Sequence, residues 1–169
     1  MKVKVVRSPQ RRKTVSARVI GELLEVRIPA QFSAKEEKKW LERMIKWGQA
    51  RKAKEELNGE GDLWRRAQEL NRRYFNGKPE LKSVEYVTNQ NRRYGSCTPR
   101  NGTIRISQSV AGMPAWVRDY VLVHELAHLV EANHSKAFWK LVNRYKLAER
   151  SRGFLIARGM DEATDEVDE

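Results

Sequence analysis

The chain is poor in residues that bridge or bind. It has one cysteine, Cys97, among 169 residues, which excludes an internal disulfide and fits a reducing compartment. No apolar run approaches the roughly eighteen residues that a membrane-spanning helix needs. The opening MKVKVVRSPQRRK also lacks the apolar middle of a secretory signal, so a cytoplasmic protein with no membrane association is expected. Internal repeats are absent, and so is low-complexity sequence apart from an acidic end. Histidine occurs three times, and all three lie in VHELAHLVEANH, residues 123–134.

Positive charge, by contrast, is abundant. The net charge is +12, but the final DEATDEVDE holds six of the 22 acidic groups, which leaves 34 basic against 16 acidic side chains on residues 1–160. A body of +18 points to an anionic partner, and a nucleic-acid association through the basic surface is one expectation; solvated helix faces account for such charge equally well. The length suits a single domain over 1–155 followed by an acidic, disordered tail at 156–169.

Alternation in TVSARVIGELLEVRI predicts a β-hairpin broken at Gly21-Glu22, with apolar positions Val15, Ala17 and Val19 before the break and Leu24, Val26 and Ile28 after it. Ser33 and Glu36 have capping-box spacing, and a helix to about Leu57 should bury Trp40, Leu41, Met44, Ile45 and Trp47. Asp62 can cap a second helix burying Leu63, Ala67, Leu70 and Tyr74, which ends at Asn76-Gly77. A second β unit follows, with a strand from Leu81 to Val87, a hairpin turn at Asn101-Gly102 and a strand over Thr103–Ser107. Pro114 then suits the start of the helix that carries the histidines.

On that helix His124 and His128 project from one face, with about 6 Å of rise between their backbones. Two imidazoles so placed can reach one Zn²⁺, and the adjoining Glu125 can act as general base toward a zinc-activated water, which is the H-E-x-x-H arrangement. A catalytic zinc takes three protein ligands and keeps one position open. Glu131 lies too far along the same helix, at about 10 Å from His124. His134 is better placed, because Asn133 can end the helix and let the chain swing back, and Glu149 is a further candidate. Ser135 can cap a following helix that buries Ala137, Phe138, Leu141, Val142 and Tyr145. A core histidine bonded to a carbonyl is the ordinary alternative. It must explain the spacing, the glutamate and the third histidine together.

The segments RYGSC at 93–97, GTIRIS at 102–107 and VHELAHLVEANHSKAFW at 123–139 resemble the YgjP-like metal-dependent hydrolases, a zincin-type family of metallopeptidases. RSPQRRKTVSARV resembles that family's basic opening strand, so the resemblance spans about residues 7–145. It implies an α+β zincin-like fold in which an N-terminal β-hairpin and helices lead to a second β unit, the H-E-x-x-H helix and a C-terminal helix. It also implies His124, His128 and His134 as ligands and Glu125 as the catalytic carboxylate. Tyr94 departs from the tryptophan more usual in the family.

Two substrates are compatible with these residues. An extended peptide could pair with Thr103–Ser107 as an edge strand. Alternatively, Arg92, Arg93, Arg100 and Arg105, with Ser96 as a hydrogen-bonder, could hold a nucleotide for a pyrophosphohydrolase. A nucleic-acid-binding protein with structural zinc is the reading from another class. Three histidines beside a glutamate argue against it, since structural sites have four ligands and favour cysteine. Cys97 is either a small buried residue or a redox or zinc-binding thiol.

Overall fold

Apolar residues at every second position of LLEVRIP put Leu24, Val26 and Ile28 on one face of strand β3 (Leu23–Pro29), where all three are fully buried. β2 (Ser16–Ile20) pairs antiparallel with β3 across Gly21, whose φ of 58° suits glycine, so the expected hairpin forms. An additional strand, β1 (Lys2–Ser8), pairs parallel with the other edge of β3 and gives the order β1-β3-β2. Helix α1 (Ala34–Asn58) starts at the expected capping box. The Glu36 N–H donates to Ser33 Oγ at 3.3 Å, and the Ser33 N–H donates to Glu36 Oε2 at 2.9 Å.

Leu41, Met44 and Ile45 of α1 pack on the buried face of β3. Gly48 extends their stripe, and a Cβ there would stand 2.9 Å from Leu24 Cδ1, so glycine permits the close approach of helix to sheet. Trp47 was expected in this core but is 40% exposed, with the Arg51 guanidinium over its ring at 5.7 Å. The reason is angular: Trp40 and Trp47 share a helix flank about 100° away from the stripe of Leu41, Ile45 and Gly48.

The computed structural model describes residues 1–59 and 61–159, so the acidic end at 160–169 lies outside the described residues. The chain divides into two compact units, residues 1–56 and residues 57 onward. In the second, α2 (Asp62–Phe75) buries Ala67, Leu70 and Phe75. Asp62, expected as its cap, is instead the first helical residue, and left-handed Gly61 holds the cap position. Asn76 and Gly77, at φ 57° and 70°, end the helix as the Asn-Gly pair predicted.

Three strands follow: β4 (Ser83–Val87), β5 (Gly95–Thr98) and β6 (Thr103–Ser107). β6 is central, parallel to β4 and antiparallel to β5. Thr103–Ser107 therefore cannot be the open edge expected for a peptide, because its backbone is engaged on both sides. The turn before it is longer than a two-residue hairpin, since Pro99–Asn101 form a 3-10 turn closed by Gly102 at φ 61°. A short helix α3 (Gln108–Ala111) leads to α4 (Ala115–His128), α5 (Lys136–Val142) and α6 (Ala148–Ala157).

Pro114 stands at the cap position just before α4 rather than in its first turn, and its carbonyl accepts from the Val117 N–H at 2.9 Å. Eleven of the fourteen α4 residues are buried, Asp119, His124, Glu125 and His128 among them, so each polar group needs a dedicated partner. Asp119 takes a two-pronged bond from Arg66 of α2, at 2.7 Å from Nε and 2.5 Å from Nη2. The overall class is α+β. No helix among the described residues is long and apolar enough to cross a membrane.

Candidate metal centre

His124 and His128 stand one turn apart on α4, and their Nε2 atoms are 3.3 Å from each other. His134 comes from the segment between α4 and α5, with its Nε2 3.2 Å from that of His124. One nitrogen from each ring lies within 4.8 Å of the others, and among the described residues this is the group of three able to hold a metal ion. Glu131, Glu149 and Cys97 are outside it. The reversal that delivers His134 comes earlier than expected. α4 ends at His128 rather than near Asn133, through shortened bonds from the Leu129 N–H to the Leu126 carbonyl and from the Val130 N–H to the Ala127 carbonyl. His128 Nδ1 lies 3.1 Å from the Ala132 carbonyl oxygen. A carbonyl can only accept, so Nδ1 carries the proton and Nε2 presents its lone pair to the cluster.

The segment after His134 builds the walls of the site. Ser135 Oγ accepts from the Phe138 N–H at 3.2 Å and so starts α5, as the spacing predicted. Phe138, fully buried, then touches all three imidazoles, with ring centroids 4.4 Å from His128, 4.6 Å from His134 and 4.9 Å from His124. Trp139 stacks on His134 at 5.4 Å and an interplanar angle of 19°. Over Trp139 lies the Arg152 guanidinium at 4.4 Å, which in turn donates to Glu149 Oε1 at 2.8 Å. Glu149, a candidate ligand by sequence, thus belongs to a relay behind His134. The Trp139–Arg152 contact joins α5 to α6, and no periodicity in either helix signals it.

Glu125 is 2% exposed and faces β5. A Cβ on Gly95 would stand 2.3 Å from Glu125 Oε1 and 2.7 Å from its Cδ, so only glycine admits the carboxylate at this distance from the strand. Glu125 and His124 also border a cavity of about 20 Å³ with Tyr94, Gly95, Tyr120, Val121 and Leu155, a volume of about one water molecule. Sequence reasoning gave Gly95 no part in this contact. The signal available was a glycine opening an otherwise buried strand.

The remaining candidates lie elsewhere. Cross-strand partners share a face, so Gly95 and Cys97 point with Ile104 and Ile106 toward the core, whereas Ser96, Arg105 and Glu85 occupy the opposite face. Ser96 Oγ accepts from Gln90 Nε2 at 2.5 Å. Arg92 and Arg100 are exposed and Arg93 is half-buried. Arg105 and Ser96 therefore do not join the histidines. Cys97 is buried, and loss of solvent, followed by the negative charge of Glu125, pushes its thiol well above its ordinary range.

Residues 80–147 match the YgjP-like metallopeptidase domain family. The match starts well after residue 7, where the resemblance was expected to begin, and lies entirely in the second unit. Among solved structures, the metallopeptidase zymogen of Pyrococcus abyssi, abylysin, aligns with 21% identity and a TM-score of 0.48, covering 63% of this chain and 98% of that one. No curated protein matches the chain.

Proposed function

We propose that this chain, whose residues 80–147 match the YgjP-like metallopeptidase domain family, is a zinc-dependent peptidase in which His124, His128 and His134 hold the metal and Glu125 moves the proton. The observation that carries this reading is the convergence of three Nε2 atoms from two chain segments. Zinc–nitrogen bonds of about 2.0–2.1 Å in a tetrahedron put ligand nitrogens about 3.4 Å apart. The 3.2 and 3.3 Å separations fit that spacing. Three imidazole ligands would leave one coordination position of the metal open, and a zinc ion held by them would supply Lewis acidity toward a substrate carbonyl.

The chain's own groups supply the rest. Glu125 takes a proton from the attacking water as the C–O bond forms, then returns it to the departing amine as the C–N bond breaks. Gly95 holds that carboxylate against β5, and Phe138 keeps solvent from the backs of the imidazoles. β5 is an outer strand of its sheet, so the peptide-pairing role expected of β6 passes to it within a zincin-like arrangement of helix and edge strand. The nucleotide alternative loses support, because Arg105 and Ser96 face away from the core side where Gly95 meets Glu125.

The test is to incubate the zinc-loaded chain with an unstructured polypeptide and, separately, with nucleoside triphosphates. Peptide fragments and about one zinc per chain are expected, both abolished by a chelator. Pyrophosphate release without peptide cleavage, or a folded and active metal-free chain, would overturn the proposal.

The stack behind His134 gives a second expectation. Trp139→Leu should weaken zinc binding about 10- to 100-fold, as loss of a group orienting a ligand does. Trp139→Phe, which keeps a ring on the imidazole, should restore most of it. Chelator competition measures both, and equal affinity in Trp139→Leu and the wild type would exclude an orienting role.

A further inference from the structure

The first unit has a charged face that the proposed peptidase site does not use. Residues 1–56 hold sixteen basic and seven acidic side chains. α1 covers one face of their sheet, and the register gives the composition of the other. Lys4, Glu25 and Arg18 lie side by side across the three strands, with Val6, Arg27 and Ser16 in the next row and Lys2, Leu23 and Ile20 on the other flank. Lys2, Lys4, Arg18 and Arg27 are exposed. The face has one carboxylate, Glu25, and it is already neutralised by Arg27 at 2.9 Å, with Lys4 at 4.0 Å.

Arg11, from the segment between β1 and β2, joins Arg18, Arg27, Ser16, Ala17 and Glu25 around a depression of about 110 Å³. With Glu25 bonded to Arg27, the hollow keeps a surplus of two guanidinium charges beside a hydroxyl, donors that match the oxygens of a phosphate group. The flanking lysines repeat the charge at strand spacing, about 4.8 Å between strands and about 6.7 Å along them. One phosphate would engage the hollow alone, whereas a phosphate chain engages the whole face.

We propose that this face binds the phosphate backbone of double-stranded nucleic acid without reading its sequence. The apolar residues on the face are Val6, Leu23 and Ile20, with no aromatic ring among them. Bases of a single strand would find no ring to stack on, so the favoured target is a duplex met through its phosphates. This surface belongs to the first unit and does not depend on the metal reading of the second.

The experiment measures binding of the full chain to a fluorescently labelled 20-base-pair duplex between about 50 and 200 mM salt. Each phosphate contact contributes about 0.9 to the slope of log affinity against log salt. Combined Arg11→Gln, Arg18→Gln and Arg27→Gln should lower that slope by about 3 and weaken binding more than about tenfold at 100 mM salt. The control replaces three exposed cations of the second unit, Arg72, Lys78 and Lys82, by Gln, and should change binding far less. Lys4→Gln with Arg18→Gln, at exposed positions, repeats the test without removing the Arg27–Glu25 pair and should lower the slope by about 2. Equal losses in face and control variants, no saturable duplex binding by the wild type, or a preference for phosphatidylserine vesicles over the duplex would each overturn the proposal.

Discussion

Glu125→Gln is expected to abolish most peptide hydrolysis, by about 10²–10⁴-fold, while the protein keeps its zinc. The amide is nearly the same size as the carboxylate, so it fits the space against Gly95, but it cannot accept and return a proton at neutral pH. Glu125 lies outside the three-histidine group, so ligation survives the change. Zinc content and kcat measured on the same preparation check this. Loss of both together would identify Glu125 as a structural or ligating group and remove it from the proton-transfer role.

Gly95→Ala should have the next largest effect, and it acts through the same carboxylate. The new methyl would lie within 2.8 Å of three Glu125 atoms, Oε1, Cδ and Cγ. Contacts this short must relax, and the end of a flexible side chain moves more readily than a paired strand. Displacing a reacting group by about 1 Å costs about 10²-fold in rate. The fall should be in kcat, with zinc affinity unchanged and the thermal transition little altered. Combined with Glu125→Gln, the alanine should cost almost nothing further, because the group it displaces no longer acts. Additive losses in that double variant would place the effect of Gly95 elsewhere.

Much of this site is readable in the chain because its chemistry is local. His124, Glu125 and His128 occupy one face and flank of a helix, and Ser135 starts the next helix at a spacing that helical geometry interprets unaided. The capping box at Ser33 and Glu36 is legible for the same reason. Contacts between distant segments are less legible. β1 pairs with β3 rather than with the strand next to it in sequence, β6 is enclosed on both sides, and Gly95 meets Glu125 across thirty positions of chain. An alternating pattern shows that a strand has a buried face and says nothing of its neighbours, so it could not reveal that Thr103–Ser107 is enclosed between two strands. The early end of α4 was hidden too. Asn133 is a good terminator, but the helix had already stopped at His128.

The outer position of β5 bears on which polypeptides could be cleaved at all. A segment that pairs with β5 must first surrender its own secondary structure, since its amides and carbonyls are needed for the fourth strand of the sheet. A native helix or an interior strand satisfies those groups already and has no reason to exchange them. Selection would then fall on the conformational state of the target more than on its side chains, and the rate for a folded protein would follow how often it opens locally. A peptidase that binds in this way would cleave unstructured chains faster than folded ones.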